Sequence, residues 1–231
     1  MVYFTGDIHG VPWKITRFVE KMKLTSNDTI VILGDVGANY YLDERDERMK
    51  SALDSLEVDI LCIHGNHEVR PANIPSYKLQ EWKEGQVWCE DKYPNLKFAK
   101  DGEIYLLEGR RYIAIGGAYS VDKFYRQARG ISWWEDEQPS NKIKAYVERQ
   151  MSANKFEIIL SHTCPHKYEP TDMFLPGIDQ SKVDKSTEEW LDKIEEKYDY
   201  QGWFCGHWHI DRQVDKLHFL YNTWETADNL E

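Results

Sequence analysis

Residues 1–10 read MVYFTGDIHG: an apolar run, Val2 to Thr5, stopped by Gly6 and followed by Asp7 and His9 on either side of Ile8. The same design recurs four more times. TIVIL precedes Gly34-Asp35, ILCIH precedes Gly65-Asn66, FEIIL precedes Ser161-His162, and WFC precedes Gly206-His207. Short runs rich in Val, Ile, Phe and Tyr, each closed by a turn residue, are the pattern of buried strands. Each strand thus delivers a potential ligand at its carboxyl end, the edge where open α/β sheets build their sites.

Helical patterns lie between these runs. A helix is expected over Pro12 to Met22, with Pro12 in its first turn and Trp13, Ile15, Phe18, Val19 and Met22 toward one face. Glu44 to Leu56 groups Met49, Leu53 and Leu56 behind a charged face. Asn141 to Met151 and Thr187 to Tyr198 are similar, the second with Ser186 as N-cap and Glu189 three residues on, a capping box. Ile104 to Leu107 and Tyr112 to Ile115 read as antiparallel strands joined near Gly109, and Gln213 to Tyr221 as another hairpin. A chain that mixes βα units with hairpins is not a purely parallel doubly wound sheet. The expectation is an α/β protein of two mixed sheets packed together with helices outside. No repeat, low-complexity tract or Gly/Ser/Pro-rich linker divides it, so one domain is expected over residues 1–231.

Composition narrows the function classes. Forty Asp plus Glu against 29 Lys plus Arg give a formal net charge of −11, which argues against a general nucleic-acid or anionic-membrane binder. Much of that acidity falls in the helical stretches around Glu44–Asp59 and Glu188–Asp199, read as solvated faces. No apolar run approaches the roughly 20 residues that span a bilayer. The first ten residues lack the zones of a secretory signal, so a cytoplasmic location is expected. Cys62, Cys89, Cys164 and Cys205 form no CxxC pair and read as reduced core residues.

Residues i and i+2 of an extended segment share a face. Asp7 with His9, and His207 with His209, can therefore each point as a pair into one cleft, while Asp35, Asn66 and His162 arrive singly. A set of oxygen and imidazole donors without thiolate suits Mn, Fe or Zn²⁺ in a reactive site better than a structural zinc. Seven side chains are too many for one ion, whereas two ions sharing a carboxylate would use them. Two divalent ions carry +4; two Asp and a hydroxide leave the centre weakly positive, an attractor for phosphate inside an acidic protein.

The ordered set Gly6-Asp7-Ile8-His9-Gly10, Gly34-Asp35, Gly65-Asn66-His67-Glu68, Ser161-His162 and Gly206-His207-Trp208-His209 resembles the calcineurin-like metallophosphoesterases. The resemblance implies a four-layer αββα sandwich with a centre of two divalent or trivalent transition-metal ions, manganese first, iron or zinc as alternatives. It implies that Asp7, His9 and His209 hold one ion, that Asn66, His162 and His207 hold the other, and that Asp35 bridges them. It further implies that a bridging hydroxide attacks phosphorus while His67 faces the phosphate as the acid.

One branch of that family continues its second motif as GDxxDRG; here Ala38 and Asn39 stand at the later Asp and Arg positions. Support for His67 must then come from Glu68 or a backbone carbonyl, and a phosphate clamp from Arg70, Arg126 or Arg129. Arg126 and Arg129 lie in the aromatic and basic stretch Tyr119 to Trp134, which reads equally as a substrate grip or as a surface helix ended by Gly130. His64 and His218, within apolar strands, read as structural, and His166 as a residue behind the ligands. Two functions compete: a hydrolase of small phosphate esters, monoester or diester, and a non-catalytic scaffold on the same fold. A scaffold would tend to have lost ligands, and all seven are present.

Overall fold

The run Thr29–Leu33 shows how the sheets are used. Ile30 and Ile32 pack among Ile15, Val19, Met49 and Leu53, whereas Val31 and Leu33 pack among Tyr112, Leu160 and Phe204. Alternate side chains of one strand therefore feed two different cores, which is why the run is apolar throughout. The computed structural model describes residues 1–230.

Among these residues the strands are β1 (Val2–Thr5), β2 (Thr29–Ile32), β3 (Asp59–Cys62), β4 (Lys78–Trp82), β5 (Gly85–Cys89), β6 (Leu96–Ala99) and β7 (Ile104–Leu107). They continue as β8 (Arg110–Ile115), β9 (Ile158–Ser161), β10 (Gly202–Cys205), β11 (Arg212–Val214), β12 (Leu217–Phe219) and β13 (Glu225–Thr226). The helices are α1 (Trp13–Met22), α2 (Glu44–Asp54), α3 (Lys123–Arg129), α4 (Asn141–Ala153) and α5 (Ser186–Lys197). One sheet has the order β13-β1-β2-β3-β6-β5-β4 and the other β11-β12-β10-β9-β8-β7. Both are mixed: β1, β2, β3 and β6 run parallel in the first, β8, β9, β10 and β12 in the second, with antiparallel strands at the edges.

Three cores separate four layers. Phe4 stacks on Phe204 at 4.3 Å between ring centroids and marks the core between the sheets. Residues of α1 and α2 cover the outer face of the first sheet, and those of α4 and α5 the outer face of the second, where Val147, Met151, Leu191 and Ile194 meet Ile113, Ile159 and Trp203. This is the expected αββα sandwich. All four cysteines are free and buried, and no helix among the described residues is long and apolar enough to cross a membrane.

Three local expectations are corrected, and one hairpin was not anticipated. In α1 only Ile15 and Val19 are buried; Trp13 is exposed because it is rotated off the stripe that those two define, and Met22, on the stripe, is exposed at the last residue of the helix. The Ser186 capping box does not form: Lys185 is the N-cap, and the Asp184 carboxylate accepts the Ser186 N–H at 3.0 Å, so the helix begins one residue earlier. The acidic helices are not wholly solvated. Asp46 is buried, accepting the N–H groups of Tyr41 and Leu42 at 2.8 and 2.7 Å, and Glu188 is buried as well. The hairpin β4–β5 carries no sequence signal, because its two turn residues are Lys83 and Glu84, both in the left-handed region at φ 50° and 70°. That turn ordinarily recruits Asn and Gly.

Candidate metal centre

Strands β1, β2 and β3 of one sheet and β9 and β10 of the other end at the same edge of the sandwich. Beyond those ends stand Asp7 and His9, Asp35, Asn66 and His67, His162, and His207 and His209. Asp7, Asp35, Asn66 and His162 are buried, and His209 is the most open of the set. The turns that carry them are tight: His9, Asp35, His207 and His209 all take left-handed backbone, at φ 44°, 46°, 66° and 52°. Such conformations persist only where the surroundings hold them, and they cluster at functional sites. Here the carboxylates hold the turns. Asp7 Oδ1 accepts the His207 N–H at 2.9 Å, Asp35 Oδ1 accepts the His67 N–H at 2.8 Å, and the Asp35 carbonyl accepts the His9 N–H at 2.8 Å.

The glycines before the ligands have a steric reason. A Cβ on Gly206 would lie 2.3 Å from Asp7 Oδ1, and one on Gly34 would lie 2.0 Å from His162 Nδ1, where φ is also +104°. Any side chain at either position would fill the cradle.

The donor atoms converge in a way that suits cations. Asp7, His9 and His209 each bring one ligand atom within 4.8 Å of the others, and so do Asp7, Asp35 and His162. His9 Nε2 lies 2.9 Å from His209 Nε2, and His209 Nε2 lies 3.2 Å from Asp7 Oδ2. The clearest test is His162. Its Nδ1–H donates to the Leu33 carbonyl at 2.7 Å, which in the neutral ring leaves Nε2 with a lone pair. That lone pair faces Asn66 Oδ1 at 2.9 Å, an oxygen that only accepts. Two acceptors turned toward each other are stable together when a cation lies between them, so the residues fit a metal.

Asn66 is oriented from behind. Its Nδ2 donates to Ser120 Oγ at 2.8 Å, and Ser120 Oγ donates to Glu137 Oε2 at 2.5 Å. Glu137 also accepts from the Ser120 N–H at 3.1 Å and Trp133 Nε1 at 2.8 Å. The sequence reading missed Ser120 and Glu137. A signal existed: Ser120 follows Gly116-Gly117 just past the end of β8, which is parallel to β9 and ends at the same edge. Tyr221 is a second omission; its ring stacks on His209 at 4.6 Å.

Burial alone would push the Asp7 carboxyl up, but the His209 hydrogen bond and the charges of His162, His209 and His9 outweigh it and hold Asp7 well below its ordinary range. Close packing pushes His207 well down. His67 is also lowered, first by burial and then by the Arg126 charge, against which Asp35 and Asp122 pull upward. Its ring packs edge-on to His9 at 5.6 Å. Glu68, named above as a possible support for His67, turns away: Oε1 accepts the Gly65 N–H at 3.1 Å, and burial with the nearby Asp35 charge pushes its carboxyl up to about 8.

The three arginines part company. Arg70 donates to Asp101 Oδ2 at 2.6 Å and to the Asp136 carbonyl at 2.7 Å, and it lines a different cavity, so it is taken up structurally rather than clamping at this cleft. Arg129 is exposed over the Tyr125 ring. Arg126 is 2% exposed, reaches Tyr40 Oη at 3.3 Å, and has no ion-pair partner among the described residues. Of the three, it alone bears electrostatically on His67. The stretch around it is partly a short helix, α3, ended by Gly130 in left-handed conformation, and partly a wall of the site through Tyr119, Val121 and Asp122. His166 stands 3.2 Å from Glu169 and makes no hydrogen bond to a ligand among the described residues. His218 Nδ1 pairs with Glu225 at 2.7 Å across β12 and β13, and His64 is buried in the core.

The ligands open into a cleft of about 430 Å³ lined by His9, Asp35, Asn66, His67, His207 and His209, with Tyr119 and Val121 on one side and the segment from Glu169 to Lys185 on another.

Comparison with known proteins agrees with this architecture. No curated protein sequence matches the chain. Among solved structures, the fold is similar to that of phosphopantetheinyl hydrolase (PptH) from Mycobacterium tuberculosis, with a TM-score of 0.51 at 14% identity over 95% of this chain and 87% of that one. It is also similar to TT1561 of Thermus thermophilus, with a TM-score of 0.53 at 12% identity over 95% and 87%. The family model described as calcineurin-like phosphoesterase matches residues 1–211, which takes in every strand-end ligand described above. By that match the chain belongs to the calcineurin-like phosphoesterase family.

Proposed function

We propose that the chain is a hydrolase of small phosphate esters that works with two transition-metal ions, manganese before iron or zinc, in one domain over residues 1–231. The observation that carries this reading is the span of Asp35. Its Oδ1 lies 3.6 Å from His162 Nε2 and its Oδ2 lies 4.0 Å from His9 Nε2, so one carboxylate offers an oxygen to each half of the ligand set. Asp7, His9 and His209 would hold one ion, Asn66, His162 and His207 the other, with Asp35 between.

Ions in these places would supply Lewis acidity toward the phosphate oxygens and an activated water at neutral pH. The chain's own residues do the rest. Asn66 contributes an oxygen without a charge that would repel the substrate. Leu33 fixes the His162 tautomer through its carbonyl. His67 lines the cleft and is the group placed to contact phosphate and give a proton to the departing oxygen. Burial favours its neutral form, and a bound phosphate anion pulls the other way, so its proton is held most firmly when substrate is present. Arg126, buried without a carboxylate partner, adds positive potential from behind rather than a direct clamp. The chain's charge of −11 disfavours a nucleic-acid strand or an anionic membrane as partner and leaves a compact ester as the substrate.

The reading is tested with p-nitrophenyl phosphate and bis-p-nitrophenyl phosphate after loading with Mn²⁺. Hydrolysis of at least one is expected, lost on chelation and in Asp35→Asn and reduced by about 10²-fold or more in His67→Ala. Inert, metal-loaded protein on both compounds would rule the reading out and leave the scaffold alternative.

A further inference from the structure

The segment from Glu169 to Lys185 has no strand and only short 3₁₀ turns, yet it sets Met173, Phe174, Leu175, Ile178 and Val183 along the cleft. Met173 is 51% and Leu175 63% exposed, a concentration of open apolar surface that points to something that covers it. The wall is anchored at the centre itself. Phe174 stacks on Trp208 at 5.8 Å and 19°, and Trp208 stands between His207 and His209.

Charge in this part of the cleft is one-sided. Asp122, Glu169 and Glu188 line it, and the one ammonium, of Lys185, is paired with Glu169. A second phosphate or carboxylate on the substrate would meet carboxylates and no free cation here. The alternative groove fails on a different point. Lys14, Arg17 and Lys21 line a cavity with Trp13 and Trp224, suited to an anion, but the one ligand residue it touches is Asp7, whose side chain has no exposed surface. The cleft beside Phe174 borders six of the candidate site residues and this groove only one.

We propose that the substrate is a phosphate ester of an uncharged, apolar alcohol about the size of one aromatic ring, seated against Phe174, Leu175 and Trp208. This rests on the phosphoesterase reading above and names the substrate class for it.

The test compares kcat/KM for benzyl phosphate, glycerol 3-phosphate and 3-phosphoglycerate, three alkyl esters, each also as its methyl diester. Benzyl is expected to exceed glycerol by about 10-fold or more, with phosphoglycerate the poorest, by the discrimination an apolar pocket gives. Leu175→Asp and Phe174→Ala should lower the benzyl-to-glycerol ratio by about 10-fold, whereas Phe124→Ser, exposed and outside the cleft, should leave it in place. Binding of benzylphosphonate, followed by calorimetry, should show a negative heat-capacity change and weaken in Leu175→Asp. Equal ratios, or a preference for 3-phosphoglycerate, would overturn the proposal. Hydrolysis of p-nitrophenyl phosphate and bis-p-nitrophenyl phosphate in the same preparation separates the two failures: activity on either with no benzyl preference sinks this inference alone, and no activity on both sinks the phosphoesterase reading.

Discussion

Asn66 carries no charge, so hydrogen bonding alone decides which end of its amide faces His162. Ser120 makes that decision by accepting from Nδ2, and Glu137 makes Ser120 an acceptor by taking its hydroxyl proton. Removing either should leave the fold and loosen the ligand. Ser120→Ala and Glu137→Gln are expected to weaken Mn²⁺ binding by about 10–100-fold in a metal titration; unchanged affinity in both would show that Asn66 is held by other means. Glu188 gives a prediction in pH. Burial pushes its carboxyl up to about 7, from an ordinary value of 4.5, so the folded state holds a proton that the unfolded chain has lost. Stability from this group is therefore present below about pH 4.5 and declines as pH rises through about 7. Glu188→Gln should flatten that decline by on the order of 2–3 kcal/mol in urea melts of the metal-free protein. An identical slope would contradict the assignment. The candidate ligands stand out in the sequence because Asp7, Asp35, Asn66, His162 and His207 each follow a glycine or serine at the end of an apolar run, with His9 and His209 two residues further on. Arg70 misled because Asp101, 31 residues away, takes its guanidinium, and no local pattern announces such a pair.

At the scale of elements, the runs feeding two cores were legible from their unbroken apolar character, and helices α2 and α4 from their period. Strands β4 and β5 were not. Lys78 to Glu81 of β4 are exposed, so β4 shows no apolar pattern, and the Lys83-Glu84 turn has neither Asn nor Gly. The backbone there bears a cost that the sequence does not reveal. Replacing the pair with Asn-Gly should stabilise the protein by about 1 kcal/mol in a thermal or urea melt, since both positions have positive φ. Destabilisation would mean that Lys83 or Glu84 makes contacts worth more than the turn strain. The cleft segment Glu169–Lys185 escaped for a related reason. Its apolar residues follow no strand or helix period, because they face a cleft rather than a core.

Across the whole molecule, two sheets with separate outer cores meet at one edge, and the ligands come from both. Asp7, His9, Asp35 and Asn66 stand beyond strand ends of the first sheet, His162, His207 and His209 beyond those of the second. Ions held between them would tie the two halves together. Binding to the folded state alone raises its apparent stability, so Mn²⁺ at a hundredfold excess over its dissociation constant should raise the melting temperature by roughly 5–10 °C over chelator-treated protein. The family resemblance read from five strand ends anticipated the two-sheet fold, because those ends are spread over nearly the full chain, whereas the net charge of −11 reports only the surface. The most direct measurement is elemental analysis of the purified chain after loading with Mn²⁺ and removal of excess. Two ions per chain are predicted for the wild type, with a marked loss in Asp35→Asn, whose carboxylate reaches both halves. A stoichiometry near zero, or one that Asp35→Asn leaves unchanged, would contradict a shared two-ion centre.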